Sequence, residues 1–330
     1  MNVRTWVQAL NTMPKLTPDE WRELDVVSRW LIATRASVLF MTFMSAALGG
    51  LLAARDAGFD WAAWTVCTLG LVLAHATNNL LNDYTDSRRG VDKNNYYRNQ
   101  YGVHVLEDGL MNQGQFWVYV AVTGGAALVL GAWLVWDRSG LALNLMLAGA
   151  FFVLFYTWPL KYYGLGEPAV LLVWGPLMVG GTYYVVTGHW SWEVTWLSLL
   201  YACGPTSVLF GKHIDKLDLD EAKGVRTLPV LLGETQARHW VIAMLALQYL
   251  GCIALVLSGL EHWVLLVVLA NLGHFKRLVS AFRQSKPGEM PEHYPATIWP
   301  LWFSAYAFDH TRRFTSLFIA ALLAGQLLAQ

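Results

Sequence analysis

Two acidic clusters, each at the end of a long apolar run, hold the side chains of this chain that are best suited to chemistry. The first runs from Asn78 to Asp86 and is followed by Asp92, and the second runs from Asp215 to Asp220. Carboxylates at the edge of hydrocarbon are costly, so such clusters are typical of a functional site. Carboxylate and amide oxygens suit hard divalent cations, which bind through one or two carboxylates together with ligand phosphates. The clusters therefore predict a Mg²⁺ site for a phosphate-bearing ligand.

The spacing within the first cluster predicts that its oxygens converge. If the helix continues through it, Asn79, Asp83 and Asp86 share one face, as do Asn82 and Asp86, because residues three and four apart are neighbours on a helix. Asp92 follows a glycine, at which the chain can turn back.

The second cluster is less regular. Asp215 and Asp218 share a helical face, whereas Asp220 points elsewhere unless the helix ends first. Gly224 favours such an end. Taking both clusters together, the predicted metal ligands are Asp83, Asp86, Asp92, Asp215, Asp218 and Asp220.

Basic residues accompany both clusters, and their cationic groups would bind a diphosphate and stabilise it as it leaves. The alternative is that they are ordinary loop charges on the positive side of a membrane. In a third loop, Lys161 follows the helix-breaking Pro159 and either reaches a phosphate or extends to the membrane interface. The residues predicted to bind diphosphate are Asn79, Asn82, Arg88, Lys93, Arg98, Lys212 and Arg226.

The composition predicts a membrane protein. Of the 330 residues, 55% are hydrophobic and 14% are charged, whereas a soluble domain averages about 25% charged residues. The 17 tryptophans suit membrane interfaces, and the zero net charge gives no support for a nucleic-acid partner. Cys67, Cys203 and Cys252 lack metal-ligand spacing and are interpreted as small buried hydrophobes.

Apolar runs of about 20 residues predict an all-α polytopic protein with about nine membrane-spanning helices. The eighth is the weakest, because three basic residues interrupt it, and the short segment Ile298 to Phe308 is predicted to be interfacial or half-inserted. The predicted spans are 33–54, 60–81, 117–136, 140–158, 167–187, 194–213, 239–259, 262–281 and 313–329.

Positive charges orient these spans. With the N-terminus in the cytoplasm, only Arg55 and Arg138 fall in outside loops. This arrangement places both acidic clusters on the cytoplasmic side and the C-terminus outside. Residues 1–32 are then a cytoplasmic segment, either an amphipathic helix or a loosely docked tail, which precedes a membrane domain over residues 33–330.

With these motifs together, the chain resembles the UbiA superfamily of intramembrane prenyltransferases. Residues 82–86, Asn-Asp-Tyr-Thr-Asp, look like its first aspartate-rich motif, and the next aspartate is displaced to Asp92, as in the 1,4-dihydroxy-2-naphthoate polyprenyltransferase branch. The stretches Lys161–Glu167 and Gly175–Gly188 are similar to that branch, and Lys223–Gly233 looks like the signature after the second aspartate motif. The resemblance covers roughly residues 33–330.

The resemblance implies Mg²⁺-dependent transfer of a prenyl group from a polyprenyl diphosphate to an aromatic acceptor, a 1,4-dihydroxy-2-naphthoate-like quinone precursor. It implies a helical bundle whose central cavity opens to lipid, in a prokaryotic inner membrane. It assigns catalytic roles to Asp83, Asp86, Lys161 and Asp215. Aromatic side chains are candidates to stabilise the allylic cation: Tyr156, Trp158, Trp174, Tyr183 and Tyr184.

Some features depart from the family pattern, so alternatives stay open. Lys216 stands where the second motif usually has an aspartate, which leaves open which two of Asp215, Asp218 and Asp220 bind metal. The loop after Asp92 also departs from the naphthoate branch. The acceptor is alternatively a benzoate or homogentisate ring, a sugar phosphate, a chlorin or a haem. An alternative from another class is a transporter whose carboxylates bind a coupling ion.

Overall fold

The structure, a computed structural model, describes residues 3–56, 58–91 and 102–328. Within these ranges all regular secondary structure is helical, which confirms the predicted all-α class. The helices are α1 (Val3–Asn11), α2 (Pro18–Glu23), α3 (Val26–Ala33), α4 (Ala36–Ala53), α5 (Trp61–Arg88), α6 (Gln113–Arg138), α7 (Leu141–Phe155), α8 (Gly166–Thr187), α9 (Trp192–Asp215), α10 (Leu217–Ala222), α11 (Leu228–Leu232), α12 (Glu234–Leu257), α13 (Trp263–Arg283) and α14 (Phe303–Leu328).

Two of the long helices are irregular. The middle of α8, Val173–Gly180, is a π-helical segment that contains Pro176. The first part of α13, Trp263–Asn271, is a 3₁₀ helix, and Leu272–Arg283 continues it as an α-helix. A separate 3₁₀ turn, Leu160–Tyr162, lies between α7 and α8.

Six helices in the described part of the chain are long and apolar enough to cross a membrane: α4, α6, α8, α9, α12 and α13. The other three predicted spans also form helices. However, α5 continues into the polar first cluster, α7 has only 15 residues, and α14 carries charged residues such as Arg312 and Arg313. The count of nine spanning helices therefore stays a prediction.

The last helix begins earlier than the sequence pattern predicted. It starts at Phe303 rather than near residue 313, so Phe303 to Phe308 forms its first turns. The prediction of a separate interfacial helix over Ile298 to Phe308 is therefore wrong. The physical reason is that the backbone amides of residues 302–304 have a buried acceptor, the Asp215 carboxylate, and such an acceptor stabilises a helix start.

The long helices form one packed bundle. Side chains of α4, α8, α9, α12, α13 and α14 share the largest buried cluster, which includes Leu48, Tyr201 and Phe318. Two glycines of α4 allow close approach: a Cβ at Gly49 would lie 2.6 Å from the Val179 carbonyl oxygen of α8, and one at Gly50 would clash with Trp64 of α5. These two contacts place α4 directly against α8 and α5.

The N-terminal segment packs onto the bundle. Ala9 and Trp21 are buried in a cluster with Leu80 of α5 and Phe116 of α6. Of the two alternatives for residues 1–32, the structure therefore favours docked helices over a loose tail. The division at residue 32 itself stays a prediction.

Candidate active site

A break between α3 and α4 holds the start of the first acidic cluster. Arg35 has φ 56° and ψ 55°, a left-handed conformation that is uncommon outside glycine. The break leaves the Thr34 backbone carbonyl free to accept a hydrogen bond from the side-chain amide nitrogen of Asn79, Nδ2, at 2.8 Å. Arg35 Nη2 donates to the backbone carbonyl of Asn79 at 2.9 Å and to Asp83 Oδ1 at 2.6 Å. The strained residue thus brings a guanidinium onto a carboxylate that is 1% exposed.

Asp86 is paired with a lysine from another part of the chain. Lys161 Nζ lies 2.7 Å from both carboxylate oxygens of Asp86, and both residues are buried. The 3₁₀ turn Leu160–Tyr162 positions Lys161, whose backbone amide donates to the Tyr156 carbonyl. A buried ion pair of this kind excludes the alternative that Lys161 extends to the membrane interface. Removing one partner would leave an uncompensated buried charge.

In the second acidic cluster, Asp220 is the carboxylate that faces inward. It is 2% exposed, its Oδ1 lies 2.8 Å from Lys216 Nζ, and its Oδ2 is buried with no hydrogen-bond partner in the described part of the chain. Asp218 is exposed. The continuous helix assumed for this cluster is wrong, because α9 ends at Asp215 and the separate helix α10 begins at Leu217.

Asp215 is directed at the last helix. Its carboxylate accepts hydrogen bonds from the backbone amides of Trp302, Phe303 and Ser304 at 2.9–3.0 Å. Lys286 Nζ lies 3.9 Å away. Burial lowers the pKa of Lys286, and the nearby Asp215 carboxylate opposes that shift. This geometry is that of a helix cap, and the catalytic and metal-binding roles predicted for Asp215 gain no support from it.

The two clusters meet at one end of the bundle. Lys223, which follows α10, donates to the Gly90 carbonyl at 3.3 Å and also to the Val91 carbonyl, just beyond α5. The loop with Lys161 joins the same region, because Tyr163 pairs with Arg226 through the backbone. Four charged side chains lie within electrostatic range of the Tyr156 hydroxyl: Glu167, Asp86, Arg35 and Asp220.

A second buried pair links the loops around these carboxylates. His213 Nδ1 lies 2.5 Å from Glu167 Oε1, and both residues are 1% exposed. Glu167 Oε2 accepts from the backbone amide of Leu228, the first residue of α11. Glu167 therefore ties α8 to α9 and α11. Neither Arg35 nor this pair was predicted from the sequence as part of the site, although Glu167 ends the stretch Lys161–Glu167 that resembles the family.

The remaining predicted residues are less central. Asn82 is buried beside Asp83 on α5. Arg88 and Arg226 are exposed, and Lys212 is half-buried. The predicted site residues Asp92, Lys93 and Arg98 lie outside the described residues.

Two of the aromatic candidates, Trp158 and Tyr183, lie at opposite ends of the bundle. Trp158 lies near the acidic end, where the Arg89 guanidinium sits 4.6 Å from its ring centre. Tyr183 donates to Asp56 in the loop between α4 and α5, at the opposite end. Tyr183 is therefore too far from the carboxylates to stabilise charge beside them.

The donor atoms suit a hard cation. Within residues 3–56, 58–91 and 102–328, no three His, Cys, Asp or Glu side chains are already grouped as a metal site. Instead, Asp83, Asp86 and Asp220 are each paired with a basic side chain. The buried Oδ2 of Asp220 has no hydrogen-bond partner among the residues that the structure describes. Buried carboxylate oxygens fit Mg²⁺ by their chemistry.

Comparisons with known proteins place the chain in a family. The sequence model of the UbiA prenyltransferase family matches residues 43–301. The chain is 28% identical over 222 residues to the UbiA prenyltransferase domain-containing protein 1 homolog of Drosophila melanogaster, with 66% of this chain and 61% of that protein covered. It therefore spans about three fifths of the length of this relative.

A bacterial relative and a solved structure agree with this assignment. The chain is 27% identical over 264 residues to 1,4-dihydroxy-2-naphthoate octaprenyltransferase of Escherichia coli (strain K12), covering 74% of this chain and 83% of that protein. A UbiA homolog from Archaeoglobus fulgidus, solved bound to DMAPP and Mg²⁺, has the same fold: its TM-score is 0.59 at 11% identity, with 88% of this chain and 98% of that chain covered. The predicted resemblance is confirmed, and the chain belongs to the UbiA prenyltransferase family.

Proposed function

We propose that this chain transfers a prenyl group from an isoprenoid diphosphate to an aromatic acceptor in a Mg²⁺-dependent reaction. The observation that carries the proposal is the group of buried carboxylates at one end of the bundle, Asp83, Asp86 and Asp220, each beside a basic side chain. Transporters hold coupling ions near the middle of their helices. Carboxylates at the end of the bundle therefore favour the enzyme over the transporter alternative.

The basic side chains would hold the diphosphate. Lys161 and Arg35 are directed at the first cluster and Lys216 at the second, so all three approach the same region. As the bond between the allylic carbon and the diphosphate oxygen breaks, negative charge grows on the leaving group. Fixed cations aimed at that charge stabilise the transition state more than the ground state.

Asp83, Asp86 and Asp220 would hold Mg²⁺. When bound, the metal supplies further positive charge to the departing diphosphate. The protein's own contribution is to hold these oxygens in a buried site, where charges interact more strongly than in water. In the structure, Arg35 and Lys161 neutralise the carboxylates of Asp83 and Asp86 through ion pairs.

For the acceptor, we propose a 1,4-dihydroxy-2-naphthoate-like ring. The Escherichia coli relative is a 1,4-dihydroxy-2-naphthoate octaprenyltransferase by name, and the stretch from Lys161 to Glu167 resembles that branch. In the structure this stretch contains the lysine on Asp86 and the glutamate on His213. An electron-rich ring carbon would attack the allylic carbon in a pocket from which water is excluded.

We also propose that the acidic end of the bundle faces the cytoplasm of a prokaryote, in its inner membrane. The basic residues that follow α5 and α9 support this orientation through the positive-inside rule. The N-terminus would then lie inside. With nine spanning helices, the C-terminus would lie outside.

Product analysis tests the proposed function. Purified protein is incubated with Mg²⁺, geranyl diphosphate and one acceptor from a panel: 1,4-dihydroxy-2-naphthoate, 4-hydroxybenzoate or homogentisate. Mass spectrometry is expected to find the prenylated naphthoate product. Asp83→Asn is expected to abolish it, and Asp137→Asn, which changes a carboxylate at the opposite end, to leave it unchanged. If no acceptor yields product and Asp83→Asn binds geranyl diphosphate as tightly as the wild type, the proposal fails.

A further inference from the structure

His75 lies on the functional face of α5 but belongs to neither acidic cluster. It precedes Asn79 by four residues and Asp83 by eight, so the three side chains share one stripe of the helix. At about 1.5 Å per residue, His75 sits about 12 Å deeper in the bundle than Asp83. It is a polar side chain that lies deeper in the bundle than the carboxylates.

A hydrogen-bonded chain fixes the orientation of the His75 ring. Trp174 Nε1 donates to Thr42 Oγ1 at 3.1 Å, and Thr42 Oγ1 lies 2.7 Å from His75 Nδ1. In the described part of the chain, His75 Nδ1 is the one acceptor within reach of the Thr42 hydroxyl proton. We assign the Thr42 hydroxyl as the donor to Nδ1, because its oxygen already accepts from Trp174. In this assignment the neutral ring carries its proton on Nε2.

Trp174 is itself held in place at both ends. It belongs to the π-helical segment of α8, and such segments frequently occur at functional sites. Its backbone carbonyl accepts from Ser45 Oγ at 3.2 Å, while its indole meets Thr42. The His75 and Trp174 rings lie edge to face with centres 5.6 Å apart. Thr42 and Trp174 thus form a rigid support on one side of the imidazole.

The other side of the imidazole is open. His75 is half-buried, and within the described residues its Nε2 has no hydrogen-bond partner. Its neighbours Thr42 and Trp174 belong to α4 and α8, so His75 lies on the side of α5 that faces these two helices. His75 also lies within electrostatic range of Arg35, the residue that binds Asp83.

We propose that His75 Nε2–H donates a hydrogen bond to an oxygen of the aromatic acceptor and so turns its ring toward the allylic carbon. Thr42 and Trp174 are positioning residues that fix the tautomer. This inference rests on the proposed function, and it names a residue that selects the acceptor. An isoprenoid tail has no oxygen, so an N–H facing the tail would be left without a partner at a cost in free energy.

Kinetics of two His75 variants test the contact. With 1,4-dihydroxy-2-naphthoate as the acceptor probe and geranyl diphosphate as the donor, His75→Leu is expected to raise the acceptor KM about tenfold, the value of one hydrogen bond. The KM for geranyl diphosphate is expected to stay unchanged. His75→Gln, which keeps an N–H donor, is expected to recover part of the loss. A general structural defect would raise both KM values together, and that result would overturn the proposal.

Removal of the Thr42 hydroxyl, compared with a matched control, tests whether Thr42 positions the His75 ring. Thr42→Val removes the group that fixes the tautomer and is expected to raise the acceptor KM about threefold, less than the loss of the full hydrogen bond. Thr68→Val is the control, because within the described residues the Thr68 hydroxyl bonds only to the Trp64 carbonyl of its own helix. Equal effects of the two substitutions would contradict the positioning role.

Direct binding separates this inference from the proposed function. Quenching of tryptophan fluorescence by 1,4-dihydroxy-2-naphthoate, with the unreactive geranyl thiodiphosphate present, reports acceptor binding without turnover. His75→Leu is expected to bind the probe about tenfold more weakly than the wild type. Equal binding overturns the role of His75 even if prenyl transfer proceeds. Failure of transfer with every acceptor instead overturns the proposed function.

Discussion

The two acidic clusters look alike in the sequence but are held in different ways. In the first, Asp83 and Asp86 are neutralised by Arg35 and Lys161, which lie 48 and 75 residues away in the chain. In the second, Asp220 pairs with Lys216 in the adjacent turn. The first arrangement exists only once distant segments have packed together. The ion pairs of the first cluster are therefore a product of the folded bundle, whereas the ion pair of the second cluster is local.

The comparison within the second cluster is equally informative. Asp215 binds the backbone amides that begin α14, and Asp218 is exposed. Asp220 is buried, and its Oδ2 has no hydrogen-bond partner in the described part of the chain. Three aspartates within six residues therefore have three different surroundings. The cluster as a whole adds one inward carboxylate to the site and one cap to the last helix.

The largest effect on the rate of prenyl transfer is expected when a buried aspartate is substituted and compared with an exposed one. Asp83→Asn is expected to lower the rate of prenyl transfer by about 10³-fold, because it removes a buried charge from the site. Asp218→Asn, made in the same way on an exposed residue, is expected to change the rate little. Transfer of radiolabelled prenyl groups measures both. Similar losses in the two variants would break the distinction.

A smaller effect, on ligand binding, is expected at Lys161, because its ammonium group and a metal ion would compete for the two Asp86 carboxylate oxygens. Lys161→Met is expected to strengthen Mn²⁺ binding in the absence of diphosphate. It is also expected to weaken binding of inorganic diphosphate by about tenfold or more, since a charge-assisted hydrogen bond is lost. Electron paramagnetic resonance follows Mn²⁺, and inhibition of transfer follows diphosphate.

The control for Lys161 is Arg55→Met, which breaks an ion pair with Glu261 at the opposite end of the bundle. It is expected to change neither affinity. If Lys161→Met weakened Mn²⁺ and diphosphate binding alike, Lys161 would be a structural residue rather than a competitor for the metal site.

The smallest effect on activity is expected at Asp215. Asp215→Ala leaves three backbone amides at the start of α14 without their acceptor, which is expected to cost about 2 kcal/mol of stability. Transfer by the folded protein is expected to fall only a few-fold. Thermal unfolding in detergent measures the first effect, and Asp218→Ala is the matched control. An unchanged unfolding temperature with lost activity would show that Asp215 acts in catalysis.

The sequence predicted the broad features of this site from local patterns. Apolar runs predicted the helices, and helical spacing predicted that Asn79 and Asp83 share a face; both contact the segment of Thr34 and Arg35. The convergence of their oxygens with those of Asp86 stays a prediction. The approach of the second cluster to the first followed from placing both on the same side of the membrane. Such features depend on residue type and periodicity, which the sequence displays directly.

Other features depend on contacts that no local pattern reveals. Arg35 acts through a helix break that has neither proline nor glycine to mark it. The roles of Asp215 and Asp220 depend on the end of α9 at Asp215, which long-range contact with α14 accompanies. The pair of Glu167 and His213 joins residues 46 positions apart. Tertiary packing decides all three.

The most direct test asks which aspartates of the two clusters bind metal. It measures Mn²⁺ binding by electron paramagnetic resonance in the presence of geranyl thiodiphosphate. The variants compared are Asp83→Asn, Asp220→Asn and Asp215→Ala. We predict that the first two lose tightly bound Mn²⁺ and that Asp215→Ala retains it. Loss of Mn²⁺ in Asp215→Ala together with full binding in Asp220→Asn would contradict the account.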